Sequence, residues 1–346
     1  MILLSILWLQ VKAPLLLERL YTHRAPLDTV VISQLSTQVS EKDLYAHLQF
    51  LAHDALQGRE AGTPFEKVAA AYLIAQHRRI GNEPLLPQSY IHVFWLKKPI
   101  SLPPPEGKSS RKKKKLSQPP PPSPDSVEAW NVLACRRGSL YPSQYVILSA
   151  HYDHIGKSPQ GAVFNGADDN GSGTAVLLEV ARLISQLPPP KRTIVFFHTG
   201  AEEKGLIGAF RFVQDSLIPI DSIVAMVNTD MVGRTDTLHQ PGDRYLYTIG
   251  ADRATPVLRF IQEEVNALCC QWKLDYRYDS PSDPLRLFYR SDHFAFARKG
   301  VPSVFYFGGL HSDYHMPSDD WDKIEPERLR RTAVWLAAMA WSLANM

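Results

Sequence analysis

Two hydrophobic rhythms alternate along the chain. Apolar residues recur at helical spacing over 42–56 and again from 64 to about 80, where Gly81 stops the helix. Thr63 stands where an N-cap is wanted and Pro64 at the first helical position. Apolar runs at 90–96, 130–135 and 145–150 read as strands. A helix over 172–187 is ended by Pro188-Pro189-Pro190. A strand at 193–198, a helix at 203–214 and strands at 223–229 and 245–249 follow. Helices at 255–269 and 292–298, a strand at 303–307 and a helix at about 325–344 complete the series. Several strands are apolar throughout, as in parallel sheets covered on both faces. The expected fold is α/β, a three-layer α/β/α sandwich around a mostly parallel mixed sheet. Ligands of such sheets bind beyond the carboxyl ends of the strands.

Composition changes this picture at two places. Six of the 38 Lys and Arg lie in the run 108–115, so the remaining 32 face 35 Asp and Glu, and the rest of the chain is mildly acidic rather than +3. Eight of the 27 prolines, at 103–105, 119–122 and 124, flank the same run. Such a segment lacks the apolar area to offset ordering and repels itself, so 99–127 reads as an inserted, solvated loop. It holds no aromatic interleaved with its charges, which argues against nucleic acid. Residues 1–41 are set apart as an N-terminal segment, and 42–346 as the domain. The apolar run 1–11 has the length of a signal-peptide h-region but no basic residues before it, and it is too short for a bilayer span of ~20 residues. It reads as a degenerate leader, which places the protein in the periplasm or outside the cell, with no integral membrane span. Three cysteines make no disulfide framework. Adjacent Cys269 and Cys270 read as helix-end packing, with Cys135 separate.

The candidate chemistry sits after the strands. The 145–150 strand runs into His151-Tyr152-Asp153-His154, and the 193–198 strand is followed by Glu202-Glu203. The 223–229 strand ends at Asp230. A turn, Asp168-Asp169-Asn170-Gly171, opens the 172–187 helix, and His311 and His315 follow the 303–307 strand. Mixed imidazole and carboxylate ligands suit Zn²⁺, with Mn²⁺ and Co²⁺ as rivals. The number of ligands matches two ions sharing a carboxylate. His154 and His198 are set aside as bystanders. Ser291-Asp292-His293 reads equally as a helix N-cap and as a substrate contact.

The ordered motifs His-x-Asp, Gly-Ala-Asp-Asp-Asn-Gly-Ser-Gly, Ala-Glu-Glu-Lys-Gly-Leu-x-Gly, Asn-x-Asp-Met-x-Gly, Ser-Asp-His and Tyr-His-x-Pro-x-Asp resemble the co-catalytic di-zinc aminopeptidases. That clan includes bacterial leucyl aminopeptidase, glutamate carboxypeptidase II and glutaminyl cyclase. The segment 51–63 resembles the exported bacterial members. The resemblance implies that His151 and Asp230 hold one zinc, Glu203 and His315 the other, and Asp169 bridges them. It implies a cis peptide at Asp169–Asn170 and a hydrogen bond from the His151 ring to Asp153. Asp319 or Asp320 would support the site from behind. Glu202 would be the general base for a metal-bridging hydroxide that cleaves peptides at a free N-terminus.

Three alternatives remain open on the same fold. One is a one-zinc glutaminyl cyclase. Another is a carboxypeptidase or amidohydrolase with a lid domain, for which the 84 residues between Asp230 and His315 leave little room. The third is a binding module that has lost the chemistry. Side-chain preference would come from loops at about 232–244 and 271–290.

Overall fold

The computed structural model describes residues 15–97 and 125–346. Its helices are α1 (Leu16–His23), α2 (Thr29–Gln38), α3 (Glu41–Leu51), α4 (Pro64–Arg79), α5 (Gly173–Ser185), α6 (Ile207–Gln214), α7 (Val257–Cys269), α8 (His293–Ala297) and α9 (Pro326–Asn345). Its strands are β1 (Glu83–Pro84), β2 (Ile91–Lys97), β3 (Ser126–Arg136), β4 (Tyr141–His151), β5 (Arg192–Thr199), β6 (Ile223–Asp230), β7 (Tyr245–Ile249), β8 (Lys273–Asp275) and β9 (Ser303–Phe307). They form one sheet in the order β1-β3-β5-β4-β6-β9-β7-β8, with β2 also paired to β3.

The centre of the sheet is parallel, through the pairs β4–β5, β4–β6 and β6–β9. The flanks make the sheet mixed, as expected, though strand direction there was not legible. Strands β1, β2 and β5 pair with β3 antiparallel, and β7 runs antiparallel to β9. An apolar run does not encode strand direction, because a buried strand looks alike in either sense.

Alternation along the strands builds the three layers. Val146, Leu148, Ile194, Phe196, Val227 and Val304 face a core shared with α3, α5 and α9. Their neighbours Ile147, Val195, Phe197 and Met226 face the other side, against Phe212 of α6 and Phe296 of α8. Thr63 caps α4 through its side chain, with Pro64 in the first turn, and Ser40 caps α3.

Several boundaries shift. The helix expected from 203 begins at Ile207, because Gly205 and Leu206 both take positive φ and hold 203–206 as a turn. Residues 15–41, set apart by sequence, pack into the main core through Leu17, Ile32 and Leu35. The expected leader run 1–11 lies outside the described residues, as does most of the Pro/Lys loop; its final residues, Ser126 and Val127, already belong to β3. Cys269 and Cys270 are joined as a vicinal disulfide at the end of α7, not free as expected, while Cys135 is buried and free. Among the described residues no helix is long and apolar enough to cross a membrane.

Candidate metal centre

Strands β4, β5 and β6 end side by side, so the residues after them converge on one rim. His151 closes β4 and Asp230 closes β6, while Glu202 and Glu203 sit in the turn after β5. His151 Nε2 lies 3.2 Å from Asp230 Oδ1 and 3.3 Å from Asp169 Oδ1. The other oxygen of Asp169, Oδ2, lies 3.1 Å from His315 Nε2, and that nitrogen lies 3.3 Å from Glu203 Oε2. One carboxylate thus faces two clusters, one on each oxygen.

His154, set aside by sequence, belongs with the second cluster. Its Nδ1 is 2.8 Å from Glu203 Oε1 and 4.0 Å from Asp169 Oδ2. Ligand atoms of His151, Asp169 and Asp230 lie within 4.8 Å of one another, and so do those of His154, Asp169 and Glu203. The available signal was its place in His-x-Asp-His, one residue beyond Asp153. His198 is elsewhere, its Nε2 2.9 Å from His77 Nε2 in the interior. His311 is also apart from the clusters, bonded to Asp168 Oδ2 at 3.1 Å.

The chemistry of these atoms fits a bound cation. His154 Nδ1 and Nε2, His315 Nε2 and Glu203 Oε1 are buried without an aligned hydrogen bond. Lone pairs gathered in this way, with no donor to meet them, are costly unless a proton or a metal sits between them. Imidazole and carboxylate donors with no thiolate match zinc in an open site.

The neighbourhood holds each donor in place. The carboxylate of Asp319 accepts from the backbone N–H groups of Asp168 and Asp169, each at 3.1 Å. Asn170 donates to the Thr229 carbonyl at 2.9 Å and accepts from the Met231 N–H at 3.3 Å, tying the turn to the end of β6. The Asp169–Asn170 peptide is cis. Gly166 must lack a side chain, since a Cβ there would stand 2.2 Å from the Asp169 carbonyl and 2.5 Å from the His154 ring. Ser149 donates to Asn228 (2.6 Å), Asn228 to Ser291 (2.7 Å), and Ser291 to Asp230 Oδ2 (2.8 Å). That relay leaves Oδ1 of Asp230 for the centre. Ser291 therefore supports a ligand atom, and its side chain does not cap α8. Asp292 accepts from Thr199 Oγ1 instead.

Asp153 differs from expectation. His151 Nδ1 lies 3.1 Å from its backbone carbonyl but 3.9 Å from its carboxylate. The main chain orients the ring, and the carboxylate instead accepts the Glu202 N–H at 3.1 Å. Burial raises the Asp153 carboxyl to about 8, against the pull of His151.

Arg59 is buried and meets no carboxylate. It donates to the carbonyls of Tyr152 (2.8 Å), Asn165 (2.6 Å), Gly166 (3.0 Å) and Leu51. It thus clamps the His151–Asp153 segment to the turn that carries Asp169. Burial lowers its guanidinium to about 10, against four surrounding carboxylates that support the charge.

Electrostatics divides the carboxylates into two sets. Burial opposes ionisation of Asp169, but the adjacent imidazoles of His151 and His315 outweigh it and hold Asp169 well below the usual range. Glu203 is lowered, the imidazoles of His154 and His315 outweighing burial and the Asp169 charge. Burial raises Glu202 well above the usual range, with Asp292, Asp230 and Glu203 adding to it and His151 opposing. Asp230 is raised by burial, against His151. Two carboxylates are thus favoured as anions between imidazoles, and Glu202, buried among other carboxylates, is favoured in its neutral form.

A rim of imidazoles and carboxylates sharing one Asp, with a further Glu beside it, forms a donor set that could hold a metal. The pattern of Peptidase family M28 matches residues 131–340, and the chain belongs to that family. A probable zinc metalloprotease of Pyrenophora teres f. teres is 39% identical over 112 residues, 32% of this chain and 24% of that protein. The aminopeptidase YwaD of Bacillus subtilis is 32% identical over 195 residues, 54% of this chain and 38% of its own. These curated relatives are thus matched over about a quarter to two fifths of their length. The LapA aminopeptidase of Legionella pneumophila shares the fold, with a TM-score of 0.67 at 18% identity over 91% of this chain and 75% of that one.

Proposed function

We propose that the protein is a zinc-dependent aminopeptidase that binds two ions per chain and removes the N-terminal residue of peptides. The observation that carries the reading is Asp169, whose two oxygens face two separate donor clusters beside the proton-carrying Glu202. His151, Asp169 and Asp230 would hold one ion; Asp169, Glu203 and His315 the other, with His154 against Glu203. Zinc there supplies Lewis-acid polarisation of the scissile carbonyl and of the attacking water. Glu202 accepts the proton of that water and delivers it to the leaving amine. Asp153 holds the Glu202 backbone, and the Ser149-Asn228-Ser291 relay holds Asp230. The names and folds of the relatives support the same reading.

The test is zinc content together with turnover of leucyl-p-nitroanilide and its N-acetylated form. The reading expects two zinc ions per chain and hydrolysis of the free amine only. Equal cleavage of the blocked substrate overturns the aminopeptidase assignment.

A further inference from the structure

The cavity at the donor clusters continues into an apolar wall formed by Met231, Leu287, Phe305, Phe307 and Leu310. One Lys or Arg lines it, Arg290, beside Tyr314. Arg290 Nη2 donates to the Tyr314 hydroxyl at 3.0 Å, and its guanidinium lies 6.0 Å from that ring. Tyr314 in turn stacks on His315, ring centroids 3.9 Å apart. The guanidinium is therefore anchored at one corner and tied to a donor of the metal centre.

It is also uncommitted. In the neighbouring loops Arg234 pairs with Asp313, Arg253 with Asp279 and Arg277 with Asp275. Arg290 forms no ion pair among the described residues, although four carboxylates line the same cavity. Its backbone is held, because the next residue, Ser291, hydrogen-bonds Asp230. An exposed guanidinium steered by one hydrogen bond, with free donors at the edge of an apolar pocket, presents a fork that matches a carboxylate. An apolar substrate side chain needs no such fork, and a cationic one is repelled by it.

We propose that Arg290 reads a carboxylate of the substrate, so that the preferred peptides carry an anion within reach of the first residue. The carboxylate is either the side chain of an acidic N-terminal residue or the free C-terminus of a dipeptide. This inference rests on the aminopeptidase reading. The tyrosine hydroxyl sets the guanidinium's direction, and the apolar wall takes the methylenes.

Full-length zinc-loaded protein is assayed on two matched pairs: glutamyl- against glutaminyl-p-nitroanilide, and Leu-Gly against Leu-Gly amide. At least one pair is expected to favour the carboxylate by about tenfold or more in kcat/KM, as a charge-assisted contact gives. The first pair reports a side-chain anion, the second a C-terminal one. Arg290→Leu is expected to collapse the favoured ratio, and Arg290→Lys to restore part of it. Calorimetric binding of Leu-Gly, Leu-Gly amide, glutamate and glutamine amide to the Glu202→Gln protein repeats the comparison without turnover. Carboxylate-selective binding in a chain that hydrolyses nothing keeps this inference and overturns the aminopeptidase reading alone. Ratios near unity in both pairs and in binding, or ratios that Arg290→Leu leaves unchanged, overturn the inference.

Discussion

Replacing Arg59 by Met keeps the volume of the buried stem and removes the four donated bonds. The carbonyls of Leu51, Tyr152, Asn165 and Gly166 then lie in the interior without a charged donor. An unsatisfied buried acceptor costs about 1–3 kcal/mol; the Gly166 carbonyl keeps the Gly171 N–H, so the other three would cost roughly 3–9. Removing the guanidinium also relieves its own desolvation, which is several kcal/mol. The net expectation is a loss of about 3–5 kcal/mol. For a chain longer than 250 residues each kcal/mol moves Tm by about 2–3 °C, so the melting point should fall by roughly 6–15 °C. The clamp spans the His151 segment and the Asp169 turn, so zinc affinity should fall with it, by about 10–100-fold as for other supports behind metal ligands. Calorimetric melting of metal-free and zinc-loaded protein separates the two effects, because zinc stabilisation tracks affinity. Arg59→Lys, which reaches fewer carbonyls, should lie between. A fall below about 2 °C with unchanged zinc affinity would refute the reasoning.

Four further outcomes follow from the centre. Glu202→Gln should retain zinc and lose about 10²–10⁴-fold in kcat, measured on leucyl-p-nitroanilide; near-normal turnover removes Glu202 as the proton carrier. Ser291→Ala breaks the last link to Asp230 and should weaken zinc binding by about 10–100-fold, read by chelator competition. Zinc affinity of the metal-free protein should rise with pH. His315 is raised to about 10 by Asp169 and Glu203 in the face of burial, and His151 well above 6.5 by Asp230, Glu202 and Asp169, so a metal must displace protons that bind more tightly as pH falls. Each displaced proton gives about tenfold per pH unit, and a flat profile between pH 6 and 8 contradicts the arrangement. By the same shifts, the stability these imidazoles lend the metal-free protein is complete below pH 6.5, and the share from His315 is lost as pH rises through about 10. Gly166→Ala should prevent soluble folding, because its Cβ would overlap the Asp169 carbonyl; a stable, active variant would show that the turn can shift.

The legible part of this protein is its repeating part. Apolar runs and helical spacing marked the elements, since side chains buried on both faces of a sheet leave unbroken apolar strings, as in β5 and β6. The strand-end rule then pointed to His151, Glu202, Glu203 and Asp230. Three features were not legible. The antiparallel flanks depend on pairings far apart in sequence. The place of His154 depends on the path of the chain after β4, which carries no periodicity. The role of Asp153 turns on a difference of under 1 Å between its carbonyl and its carboxylate. Arg59 sat in a quoted motif, but three of its four acceptors come from two distant segments and leave no local trace.

The position of β9 has a bearing on synthesis. The last strand made lies between β6 and β7, so the right-hand strands cannot join the sheet until residues 303–307 exist. Long-range pairings of this kind are late events. His315, and Asp319 that grips the Asp169 turn, come later still. A nascent chain therefore exposes Glu202 well before it can finish the centre that gives that carboxylate a task. Until its final segments are made, the emerging polypeptide lacks His315 and Asp319, so the two donor clusters around Asp169 can be completed only when synthesis is nearly over.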